Sequence, residues 1–114
     1  MIPSDAREIL GDVLNKTKQN RLRWRLSGED VVTVSFPRSS IRLMHGRRGA
    51  LDGKDEPKVL SAEFINDRGN IYLAFEGIEG NVEDYGLLQE LFDAAKQVTV
   101  TESLRDLREM LAAV

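Results

Sequence analysis

Apolar positions near the start of the chain recur at helical intervals. Ala6, Ile9, Leu10, Val13, Leu14 and Thr17 fall on one side, with Arg7, Glu8, Asp12, Asn15 and Lys16 on the other. That spacing predicts a helix over 5–18. Ser4 offers an N-cap side chain, and Pro3 before it discourages an earlier start. Gly11 inside the pattern costs roughly 1 kcal/mol relative to alanine.

The period then shortens to alternation. In NRLRWRL, residues 20–26, Leu22, Trp24 and Leu26 take one side and Arg21, Arg23 and Arg25 the other. This assigns the apolar set to a core and stacks the arginines outward on a strand. Ser27-Gly28-Glu29-Asp30 supplies turn chemistry before the β-branched run VVTVSF, and Pro37-Arg38-Ser39-Ser40 is a second turn before IRLM. His45 to Pro57, HGRRGALDGKDEP, is crowded with glycine and charge and is expected to be a loop. Two further strands, KVLSAEFI and NIYLAFE, flank the hairpin signal Asn66-Asp67-Arg68-Gly69. In the second, alternation puts Ile71, Leu73 and Phe75 on one face and Tyr72 and Ala74 on the other.

Gly77 to Gly80 ends the strands. Asn81 can cap a helix carrying Leu87, Leu88, Leu91, Phe92 and Ala95. Thr99 with Glu102 three residues on fits a capping box, which predicts a separate last helix. Its stripe is Val100, Leu104, Leu107, Leu111 and Val114. The expected fold class is α+β in a single domain over 1–114. It comprises an N-terminal helix, an antiparallel meander of about five strands, and two C-terminal helices packed on one face of the sheet.

Composition narrows the class. The 114 residues are 41% hydrophobic and 31% charged, which is globular and long enough for one core. There is no cysteine, hence no disulfide, thiolate nucleophile or thiolate-bound metal. No apolar run approaches the ~20 residues that cross a bilayer. The opening MIPSDAREIL lacks the basic-then-apolar order of a secretory signal. A cytoplasmic protein with no membrane partner is expected.

The net charge of −3 hides an asymmetry. Residues 15–48 hold nine Lys or Arg against Glu29 and Asp30, whereas residues 49–114 hold six basic against fourteen acidic side chains. Such a division suits either a basic binding surface or two halves that neutralise each other on folding.

Chemistry-bearing motifs are sparse. His45 is the only histidine and sits beside Gly46-Arg47-Arg48, where a solvated loop side chain is the ordinary expectation. Ser4, Ser27, Ser39 and Ser40 occupy turn or cap positions with no nucleophile elbow around them. Neither Gly46-Arg47-Arg48-Gly49 nor Gly77-Ile78-Glu79-Gly80 has a phosphate-loop fingerprint. Glu79, Glu83 and Asp84 could attract a cation, but acidic residues at a helix start are explained by its dipole. Glu63, within a strand pattern near Val59 and Ile65, is either an acid–base group or a solvent-face carboxylate. No catalytic residue, cofactor or metal is expected.

The arginines remain. Arg21, Arg23 and Arg25, extended by Arg42 and by Arg47 and Arg48 in the loop beyond, form the expected partner-binding set. Trp24 falls on the opposite face, whereas nucleic-acid platforms expose aromatics beside positive charge. The chain is also acidic, with a pI near 5.2. The expected function is a small non-enzymatic regulatory or adaptor-type domain that binds another protein or self-associates. Nucleic-acid binding through the arginines is the alternative, and a small hydrolase without a recognisable motif the third.

LNKTKQNRLRWRL followed by VVTVSFPRSSIRL resembles small bacterial and phage proteins of unassigned function. In those proteins a short helix ending in a Lys-Thr-Lys-like segment leads into a Trp-bearing strand. The matching residues are Lys16-Thr17-Lys18, Trp24 and Ser39-Ser40-Ile41. This resemblance, over about the first third of the chain, implies a bacterial or phage origin and a helix-then-sheet order, and no activity or site.

Overall fold

The first helix, α1 (Ser4–Lys18), forms from the expected apolar stripe and buries Ala6, Leu10, Val13, Leu14 and Thr17. Ser4 lies inside the helix, so it is not the cap. The chain enters from Pro3, whose carbonyl accepts the Arg7 N–H at 2.9 Å. At the other end Asn20 adopts a left-handed φ of 58°. There the Arg21 N–H reaches the Lys16 carbonyl and the Asn20 N–H the Thr17 carbonyl, each at 3.0 Å. Paired bonds of this kind satisfy the last helix carbonyls, and asparagine tolerates the left-handed residue they require. Asn20 thus turns the chain out of α1.

The computed structural model describes residues 2–47 and 58–114. After α1 come β1 (Trp24–Gly28), β2 (Val31–Ser35), β3 (Ser39–Arg47), β4 (Lys58–Asn66), β5 (Ile71–Ile78) and α2 (Val82–Ala112). The strands form one antiparallel sheet in the order β1-β2-β3-β4-β5. The fold is α+β, with the N-terminal helix and the five-stranded meander in the expected order.

Register defines two faces. Trp24, Val34, Ile41, Phe64 and Leu73 oppose one another across the five strands, and Leu26, Val32, Leu43, Ala62 and Phe75 form the next row. Both helices cover this side, and Leu10 and Leu14 of α1 join Leu88, Leu91, Phe92 and Ala95 of α2 in one core cluster with it. The opposite row is Arg25, Thr33, Arg42, Glu63 and Ala74, a mixed polar surface.

Trp24 is 1% exposed. Its Nε1–H donates to Thr17 Oγ1 at 3.0 Å, and that hydroxyl donates to the Val13 carbonyl at 2.7 Å. A buried indole N–H needs such a partner, and the pair ties α1 to the first strand.

Several expectations are corrected. Leu26, expected in the core, is 51% exposed on the edge strand β1. Leu22 precedes β1 and is only partly buried. The loop expected from His45 begins later, since His45, Gly46 and Arg47 continue β3 and Arg47 pairs with Lys58. The remainder of that loop, including Arg48, lies outside the described residues.

In β5 a register shift between Phe64 and Ile65 puts Ile71 opposite Ile65 but Leu73 opposite Phe64. Ile71 and Leu73 therefore face opposite ways, and Tyr72 joins the helix side, edge-on to Phe64.

The largest correction concerns the C-terminus. The two expected helices are one 31-residue helix, α2. No glycine or proline follows Gly86 within it. Thr99 does not cap a new helix, and its hydroxyl donates to the Lys96 carbonyl at 2.7 Å. Asn81 does cap α2, accepting the Asp84 N–H. The helix start lies close over the sheet, and a Cβ built on Gly77 would stand 3.0 Å from the backbone N and Cα of Tyr85. A side chain there would require the helix backbone to give by a few tenths of an ångström.

Candidate protein-interaction surface

The buried stripe of α2 runs through Leu88, Leu91, Phe92, Ala95 and Thr99, and stops there. From Val100 onward the helix continues for three further turns with every residue exposed except the half-buried Glu102. At 1.5 Å per residue α2 is about 46 Å long, which accounts for the 48 Å long axis of the molecule. A helix normally gains its stability by packing an apolar face. Here Val100, Leu104, Leu107, Leu111 and Val114 form such a face, each more than 40% exposed, with Met110 beside it. Among the described residues nothing covers this stripe. The spacing is legible in the sequence, but its exposure is not, because the same pattern marks a helix buried against its own domain.

Of the six arginines expected to bind a partner, the five that are described occupy several environments. Arg25 and Arg42 lie on the open sheet face, separated by Thr33. Arg42 is engaged there by Glu63, with Nε 2.7 Å and Nη2 2.5 Å from Oε1. Arg21 and Arg23 precede β1 and border a cleft against Val98, Thr101, Glu102 and Arg105 of α2. Arg23 Nε stands 3.4 Å from the Glu102 carboxylate. Arg47 ends β3 beside Lys58 in the sheet register. The structure thus brings Arg25 near Arg42, and Arg21 near Arg23, as two separate pairs.

The residues considered for chemistry have structural partners. His45 faces the helix side of the sheet, its ring 5.5 Å from that of Phe92. It is not a loop side chain. The Ser39 hydroxyl meets the Tyr72 hydroxyl at 2.8 Å, and Ser27 meets Thr33 at 2.7 Å. Glu79 accepts the Lys58 N–H at 3.0 Å. Asp84, buried under the start of α2, is held by Arg7 and by Asn81 Nδ2, while Glu83 is exposed. Among the described residues no group of three or more histidine or acidic side chains converges to hold a metal ion. The Tyr85 phenol donates to Gln89, and burial, then the Glu79 and Asp93 carboxylates, push its pKa up.

A second apolar feature lies between α1 and the sheet, a groove of about 490 Å³ walled by Ala6, Ile9, Phe36, Ile41, Phe64 and Tyr72. Asp5 of α1 is the one acidic side chain that lines it. Sequence spacing assigned Ile9 to the core, yet it is half exposed at this mouth. No helix among the described residues is long and apolar enough to cross a membrane. Comparison of the chain with protein-family models, with curated proteins and with solved structures found no match.

Proposed function

We propose that this chain is a small cytoplasmic adaptor-type domain that acts by binding protein and not by catalysis. The single observation that carries the reading is the apolar stripe of α2 from Val100 to Val114, which projects beyond the domain that anchors it. Exposed contiguous apolar surface rimmed by polar residues is characteristic of interaction sites. The engagement of His45, Glu63, Ser39 and Asp84 in packing, ion pairing and hydrogen bonding agrees with a binding role.

Nucleic-acid binding through the arginines has less support, because Arg42 is already paired and Trp24, the only tryptophan, is buried. The test is affinity capture from the native host with nuclease present. Wild-type protein retains a protein partner, and a Leu104→Glu, Leu107→Glu double variant with unchanged tryptophan emission loses it. Nuclease-sensitive capture, a salt slope of about −0.9 per duplex phosphate contacted, and loss in an Arg23→Glu, Arg25→Glu variant would transfer the role to the arginines.

A further inference from the structure

From the projecting half of α2 we infer that it pairs with α2 of a second copy of this chain as a short antiparallel coiled coil. This rests on the protein-binding reading above and narrows it to one occupant. The exposed apolar residues are spaced four, three, four and three apart. Numbered as a heptad, Leu104 and Leu111 take position a, and Val100, Leu107 and Val114 take d. The outward b, c and f positions hold Glu102, Arg105, Asp106, Glu109 and two alanines. The helix is therefore charged where a two-stranded pair faces water and apolar where it meets itself.

Area and charge favour a second copy. Val100, Leu104, Leu107, Met110 and Leu111 are between 43% and 67% exposed, which corresponds to about 500 Å² of surface per chain, the size of a functional patch. Two such faces together reach the ~1,000 Å² at which specific interfaces begin. In an antiparallel pair each a residue opposes a d residue. Leu104 then meets Leu107 of the second copy, and Leu111 meets Val100.

The flanking e and g positions place Thr101 opposite Arg108 and Ser103 opposite Met110, so no like charges confront each other. The last turn of α2 carries no basic side chain to offset its terminal carbonyls. An antiparallel pair opposes the two helix dipoles, whereas a parallel pair would align them.

The cysteine-free chain makes the test direct. Sedimentation equilibrium of the full chain at about 100 μM is expected to give a dimer. The dissociation constant should rise at least tenfold in the Leu104→Glu, Leu107→Glu variant, with tryptophan emission unchanged and with unfolding unchanged at dilutions where both proteins are monomeric. Val100→Cys and Leu111→Cys chains, mixed and oxidised, should link to each other and not to themselves. Each thiol would lie about 16 Å along the axis from its own equivalent, beyond disulfide reach. Self-linked products would show a parallel pair and overturn the arrangement. A dimer that survives the double glutamate substitution would move the interface elsewhere and overturn the inference. A monomer would also overturn it. If a monomeric protein still captures a different partner through Leu104 and Leu107, only the choice of occupant fails and the protein-binding reading stands.

Discussion

Thr17→Val removes one oxygen and preserves the shape of the side chain. The Trp24 Nε1–H, 3.0 Å from that oxygen, then loses its acceptor in a site where the indole is 1% exposed. A buried donor left unpaired costs about 1–3 kcal/mol. The lost bond from Thr17 to the Val13 carbonyl adds little, since that carbonyl keeps its helical i,i+4 partner. Total stabilities of domains are roughly 5–15 kcal/mol, so the change is a sizeable fraction. With a urea m-value of about 1–3 kcal/mol/M, the unfolding midpoint should fall by roughly 1 M.

Trp24 is the only tryptophan, so its emission reports the transition without a label. The native maximum should be blue-shifted and should move red on unfolding. Thr17→Ser keeps the hydroxyl and should retain most of the stability. In a Trp24→Phe background Thr17→Val should cost much less, because the donor has gone and the pair no longer couples. A Thr17→Val midpoint within ~0.2 M of wild type, or an equal cost with Phe at position 24, would refute the hydrogen-bonded link between α1 and β1.

Asn20→Gly should leave stability unchanged or raise it by up to about 1 kcal/mol, whereas Asn20→Val should lower it by about 1–2 kcal/mol, because φ is 58° there. Thermal unfolding followed by circular dichroism separates the two. Gly77→Val should destabilise by about 2 kcal/mol or more, since its Cβ would meet Tyr85 backbone and not a movable side chain; a neutral result in the same assay would contradict the close helix–sheet approach. Tyr85 should ionise above its ordinary value of 10.0, which phenolate absorbance can follow in a Tyr72→Phe variant with Tyr85 as the one remaining tyrosine. The unfolded chain loses that proton first, so the Tyr85 contribution is complete below its unfolded value and disappears as pH rises through the folded value. Tyr85→Phe should flatten that alkaline loss.

Local pattern was sufficient wherever neighbouring residues act on one another. The 3.6-residue recurrence in α1, the β-branched run of β2, the Asn66–Gly69 hairpin and the Asn81 cap all depend on short-range geometry, and the α+β order follows from them. Four features depended on distant contacts. The Thr99–Glu102 capping box is a valid start signal, yet nothing in the described structure receives a turned-back helix, so the backbone stays helical through it. Alternation in β5 is offset by a bulge set by its partner strand, which sends Tyr72 to the opposite side from that expected.

The arginines at 21, 23 and 25 share a parity in the chain, but Arg21 and Arg23 come before the strand begins and adjoin α2, while Arg25 lies on the sheet. Most consequential is the leucine stripe of α2. Its heptad spacing is written in the sequence, but a stripe buried under its own sheet and one presented to another molecule have the same period. Which it is depends on where the sheet ends beneath the helix, and that is a property of the tertiary structure alone.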